Sequence, residues 1–117
     1  MENEKLLRVL ILDESLNDAE ALASHLRNAG YALRPGGAEN DEQLREAIRT
    51  QALDLILCSA ESTEPSLLHV HAALKALDRD IPVIAVSGEY DPEILTEVMR
   101  DGARDLVVKD NPEHLQL

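Results

Sequence analysis

Four apolar runs in this chain stop at a polar or charged side chain. VLILDE ends on Asp13 and Glu14, DLILCS on Ser59, PVIAVS on Ser87 and DLVVK on Lys109. In an open parallel α/β sheet the ligand crevice lies outside the carboxyl ends of the strands. Two carboxylates, two hydroxyls and one ammonium are therefore expected to converge at one end of the molecule. That set is nearly a phosphoryl-transfer site, since carboxylates hold magnesium beside a phosphate and an ammonium neutralises it. What is missing is a carboxylate on the central strand, where Ser59 stands. A neutral hydroxyl is a weak nucleophile without an adjacent base. No His lies near Ser59 in sequence, and CSAES lacks the G-x-S-x-G pattern of a nucleophile elbow. A serine hydrolase is thus the least favoured reading, and a strand-end serine that caps its loop is the favoured one.

The remaining candidates divide in the same way. Asp13 and Glu14 are weak magnesium candidates, because a third carboxylate is absent; no metal and no cofactor is expected. The competing reading has Lys109 neutralise the pair, which relieves their mutual repulsion. Ser87 without a phosphate to sense is a strand-end hydroxyl. His69 and His71 stand two apart on an expected helix, so they share no face and make no zinc site. His25, His114, Glu61, Glu64 and the Asp41-Glu42 pair are expected at the surface. Cys58 lies inside an apolar run, which suits a buried hydrophobe better than a nucleophile.

The elements that must position these residues alternate. Leu6–Leu12 reads as a strand, and Asn17–Asn28 as a helix closed at Gly30. Tyr31–Arg34 reads as a weak edge strand before a turn at Pro35-Gly36-Gly37. A helix over Asp41–Thr50 follows, capped by Asn40 or Asp41, then a strand over Asp54–Cys58 and a polar loop over Ala60–Pro65. Ser66 caps a helix to Leu77. Pro82–Val86 is a strand, Pro92–Arg100 a helix ended by Gly102, and Leu106–Val108 a last strand. Asn111-Pro112-Glu113 opens a further helix. Strands apolar at every position are buried on both faces, so helices must cover both sides. Right-handed crossovers then give an α/β doubly wound parallel sheet of five strands in the order 2-1-3-4-5.

Composition bounds the function. The 117 residues fit one domain over 1–117, and 44% hydrophobic content argues against disorder. There is no Trp or Phe, and the only aromatic rings of that size are Tyr31 and Tyr90. A formal charge of −12 opposes contact with nucleic acid or anionic lipid. One cysteine excludes an internal disulfide, and the absence of a long apolar run leads to the expectation of a cytoplasmic protein.

The pieces RVLILDES, ALDLILCS, IPVIAVSGEYD and DGARDLVVKD, at this spacing, resemble the receiver domain of two-component response regulators over essentially the whole chain. The resemblance implies the flavodoxin-like receiver fold. It places the magnesium-binding acidic pair on Asp13 and Glu14, the phosphate-accepting position on Ser59, the phosphate-sensing hydroxyl on Ser87 and the phosphate-contacting lysine on Lys109. The chain departs from the pattern at Ser59, at Leu106 where an aromatic is usual, at Asp110 where a proline usually follows the lysine, and at Pro65, which lies further downstream than the family's proline. LILDESLNDAEAL, ARDLVVKD and PEHLQL also resemble degenerate receivers at the start of cyclic-di-GMP signalling proteins that carry GGDEF and EAL domains. What this implies is a pseudo-receiver: not an enzyme, acting by protein–protein contact with a partner, a second copy or downstream domains of the same chain. The implied assembly surface comprises Ile94, Leu95, Val98, Met99, Leu106, Leu115 and Leu117. Alternatives within the fold are modification of Ser59 or a small ligand in the acidic crevice. Because the chain carries only the first turn of its fifth helix, it reads as a domain excised from a longer protein. Leu10, Leu12, Val107 and Leu115 are then expected to be partly exposed and to drive self-association.

Overall fold

The computed structural model describes residues 6–88 and 91–108. Lys109, Asp110, the expected last helix and the surface residues Leu115 and Leu117 lie outside them, as does Tyr90. The described elements run β1 (Leu6–Leu12), α1 (Leu16–Asn28), β2 (Ala32–Gly36), α2 (Asp41–Thr50), β3 (Leu55–Ser59), α3 (Leu67–Ala76), β4 (Val83–Ser87), α4 (Pro92–Arg100) and β5 (Asp105–Val108). All neighbouring strands are parallel, in the order β2-β1-β3-β4-β5. That is the doubly wound sheet the apolar runs demand.

Alternate residues of each strand serve two different cores. Leu10 and Leu12, Ile56 and Cys58, Val83 and Ala85 join Leu106 against the inner faces of α2, α3 and α4. Val9 and Ile11, Leu55 and Leu57, Val86 and Val107 face the other way, with Leu22, Ala23 and Leu26 of α1. Period-two alternation within continuously apolar strands is how a two-sided sheet is filled.

This corrects the expectation of an exposed patch. Leu10, Leu12 and Val107 are all buried. Leu10 and Leu12 have the wrong parity to face the α1 side at all, and α2 and α3 cover them. Part of the expected assembly surface is corrected too. Val98 and Leu106 belong to the core, while Ile94 and Leu95 are half-buried against it. Of that set's described residues only Met99 is exposed.

Local signals set most boundaries. Ser15 caps α1, its hydroxyl accepting from the Asp18 N–H, so the helix starts at Leu16, one residue early. Asn40 caps α2 and Asp91 caps α4, which has Pro92 in its first turn. Ser66 caps α3 in a reciprocal box, where His69 Nδ1 accepts the Ser66 N–H at 2.9 Å. β2 runs through Pro35 and Gly36, which had read as a turn. They pair with Val9 and Leu10, and proline is tolerated because β2 is an edge strand. β3 begins after Asp54, whose carboxylate accepts the Arg8 N–H at 2.9 Å, and it includes Ser59. Gly102 closes α4 at a φ of 103°, a backbone conformation that favours glycine.

Candidate functional site

The register brings the expected residues to one edge. Leu12 pairs with Cys58, Ser59 with Val86 and Ser87 with Val108. Asp13 follows β1 directly, while Ser59 and Ser87 are the last residues of β3 and β4. Both serines are buried, at 3% and 0% exposure. Asp13 is half-buried, and its Oδ1 accepts the Ser15 N–H at 2.9 Å. Glu14 is exposed and turns toward the loop after β3, where Thr63 Oγ1 donates to its Oε2 at 3.2 Å. Lys109 lies outside the described residues.

Glu61 is exposed, as expected of a surface charge, but its carboxylate also links the two strand-end serines: Ser87 Oγ donates to Oε2 at 2.9 Å and Ser59 Oγ to Oε1 at 3.4 Å. The Glu61 N–H donates back to Ser59 Oγ at 3.3 Å. Ser59 thus caps its own loop, as a strand-end serine does. A charge-assisted hydrogen bond from a fully buried hydroxyl is among the stronger polar contacts available to a fold. The only hint in the sequence is the spacing, with an acid two residues beyond a strand-terminal serine. The loop behind Glu61 is held by buried Ser62, whose hydroxyl donates to the Pro65 carbonyl at 2.7 Å, and the Glu64–Pro65 peptide is cis.

Cys58 adds no chemistry. Burial, with the nearby Asp13 charge second, pushes its thiol up to about 12. The thiolate, which is the reactive form, is therefore scarce at neutral pH.

A magnesium site is the group that an acidic pair of this kind implies. It asks for oxygen ligands gathered around one point. Among the described residues no three His, Cys, Asp or Glu side chains gather in that way. Asp13 is drawn to the start of α1 and Glu14 to Thr63. A cavity of about 690 Å³ does open beside the pair, with Glu39 and Glu64 on its rim.

Comparison with known proteins decides the family. Residues 9–117 match the response regulator receiver domain. The chain belongs to that family. As a receiver it is 31% identical over 103 residues to the transcriptional regulatory protein ZraR of Escherichia coli, a match covering 86% of this chain and 22% of that protein. It is 34% identical over 113 residues to the two-component response regulator ORR1 of rice, covering 87% of this chain and 48% of that one. The receiver thus spans about a fifth to a half of these relatives. Among solved structures it resembles the signal receiver domain of the response regulator NarL from Mycobacterium tuberculosis, with a TM-score of 0.75 at 23% identity over 92% of this chain and 86% of that one. A response regulator from Hahella chejuensis gives 0.76 at 16% identity over 90% and 81%. At those identities the likeness speaks for the fold. Among the described residues no helix is long and apolar enough to cross a membrane.

Proposed function

We propose that this receiver is a docking module that does not accept phosphate. The observation that carries the reading is the pairing of Ser59 and Ser87 through Glu61. Receiver chemistry needs a carboxylate at the end of the central strand, to form an acyl phosphate and to share a magnesium ion. Here that position is a hydroxyl, and the nearest carboxylate is engaged by the serine that would otherwise sense the phosphate. Such a domain has no reaction of its own and acts through protein contacts, with downstream segments of its own chain or with a separate partner, in the cytoplasm. The resemblance of LILDESLNDAEAL and PEHLQL to receivers of cyclic-di-GMP proteins supports GGDEF or EAL domains as the output. Neither rival chemistry draws support from the geometry. A hydrolase needs a base at Ser59, whose hydroxyl instead meets the carboxylate and N–H of Glu61, and a serine kinase needs access to a residue that is 3% exposed.

Intact-mass measurement after incubation with acetyl phosphate and magnesium tests the proposal. The mass is expected to stay unchanged. A gain of one phosphate that hydroxylamine removes would show an acyl phosphate and overturn it.

A further inference from the structure

The groove between α3 and α4 joins an apolar floor to an acidic rim. Leu67 and Val98 are buried at its base, and Ile94 is half-buried. Leu68 stands beside it at 59% exposure, an outlay of apolar surface that neither core uses. The charged residues lining it are Glu61, Glu97 and Asp101, and among the described residues no Lys or Arg lines it. Among the described residues the ion pairs are Arg45–Asp41, Arg49–Glu46 and Arg104–Asp80, so Glu97 and Asp101 keep their charge for an outside partner. The space is about 360 Å³, small for a metabolite pocket but sufficient for an anchoring side chain or two.

We propose that this groove docks a basic amphipathic segment of a partner protein, an aliphatic anchor entering between Leu67, Leu68 and Ile94 while flanking Arg or Lys side chains pair with Glu97 and Asp101. The argument is charge complementarity over an apolar floor. Apolar burial in the groove supplies affinity, and like-charge repulsion excludes acidic segments. The chain's charge of −12 steers a cationic segment toward it from a distance. The groove reaches Glu61, which also holds Ser59 and Ser87, so occupancy there bears directly on the strand-end serines. The proposal rests on the docking reading above, and its test uses no phosphodonor, so its failure leaves the phosphate question separately answerable.

The test uses the whole 117-residue chain and a fluorescent helix-forming peptide of alternating Leu and Arg faces, with a scrambled peptide of equal charge as control. Binding is read by anisotropy and mapped by amide NMR shifts. The shifts are expected to cluster at residues 60–68 and 94–101. Reversing both rim charges, Glu97→Lys with Asp101→Lys, is expected to weaken the amphipathic peptide at least about tenfold. Leu68→Ala, at an exposed position that folding does not need, is expected to weaken it as well. The proposal is overturned if the scrambled peptide binds equally well, if the shifts gather around Asp13 and Glu39 instead, or if the doubly reversed chain, folded by its thermal transition, binds as before.

Discussion

Leu10→Ala is expected to lower the unfolding free energy by about 3–4 kcal/mol, a large share of the roughly 5–15 kcal/mol that holds a domain of this size together. Leu10 is 0% exposed and lies in β1, flanked by β2 and β3. Its side chain packs with Ile56, Leu44 and Ile48 in the larger core. Truncation there removes apolar contacts and leaves a cavity that rigid strands on both sides cannot close. Urea unfolding followed by circular dichroism reads the loss directly. Leu68→Ala serves as the control, because an exposed position away from special features changes stability by only about 0.5 kcal/mol. A Leu10→Ala loss no larger than that of the control would mean that Leu10 faces an open surface, and the two-core description would be wrong.

The second large effect is electrostatic. Ser59→Asp restores the carboxylate that receivers carry at this position, but it places it against Glu61, whose Oε1 lies 3.4 Å from the present hydroxyl. Two unit charges about 4 Å apart repel by about 4 kcal/mol at an effective dielectric near 20. Glu61 is exposed, so solvent screens part of this, and a net loss of about 1–2 kcal/mol at pH 7 is expected. The sign with pH follows from linkage. Two adjacent carboxylates hold a proton more firmly in the folded chain than in the unfolded one, so the variant's deficit shrinks as the pH falls toward about 4. Adding Glu61→Gln should remove most of the deficit at pH 7. Equal stability of Ser59→Asp and the parent at pH 7 would show that the two side chains do not face each other.

The fold was legible because β1, β3, β4 and β5 carry apolar runs and the helices carry capping signals. Asn40, Ser66 and Gly102 mark boundaries by chemistry that acts within a few residues. β2 was less legible, since Pro35 and Gly36 are turn residues by type and strand residues only because the sheet ends there. The exposed-patch expectation failed on parity. Leu10 and Leu12 point to the face that α2 and α3 cover, and Val107, on the α1 side, is buried as well. At the site, the strand ends placed Asp13, Ser59 and Ser87 correctly because strand ends are set by apolar runs. The bonds from Glu61 to the two serines escaped notice because a side chain that folds back two residues to a buried hydroxyl leaves no periodic trace. Val98 and Leu106 were assigned to a surface on family grounds, while their burial depends on how α4 lies on β5.

The central claim is the proposal that this receiver accepts no phosphate. Beryllofluoride with magnesium mimics a phosphoryl group on a receptive aspartate, and amide NMR follows every strand end at once. Titrating both into the unmodified chain should leave the amides of Asp13, Glu14, Ser59, Glu61 and Ser87 in place. Saturable shifts at those five amides, dependent on both magnesium and beryllofluoride, would show a working acceptor site and contradict the account.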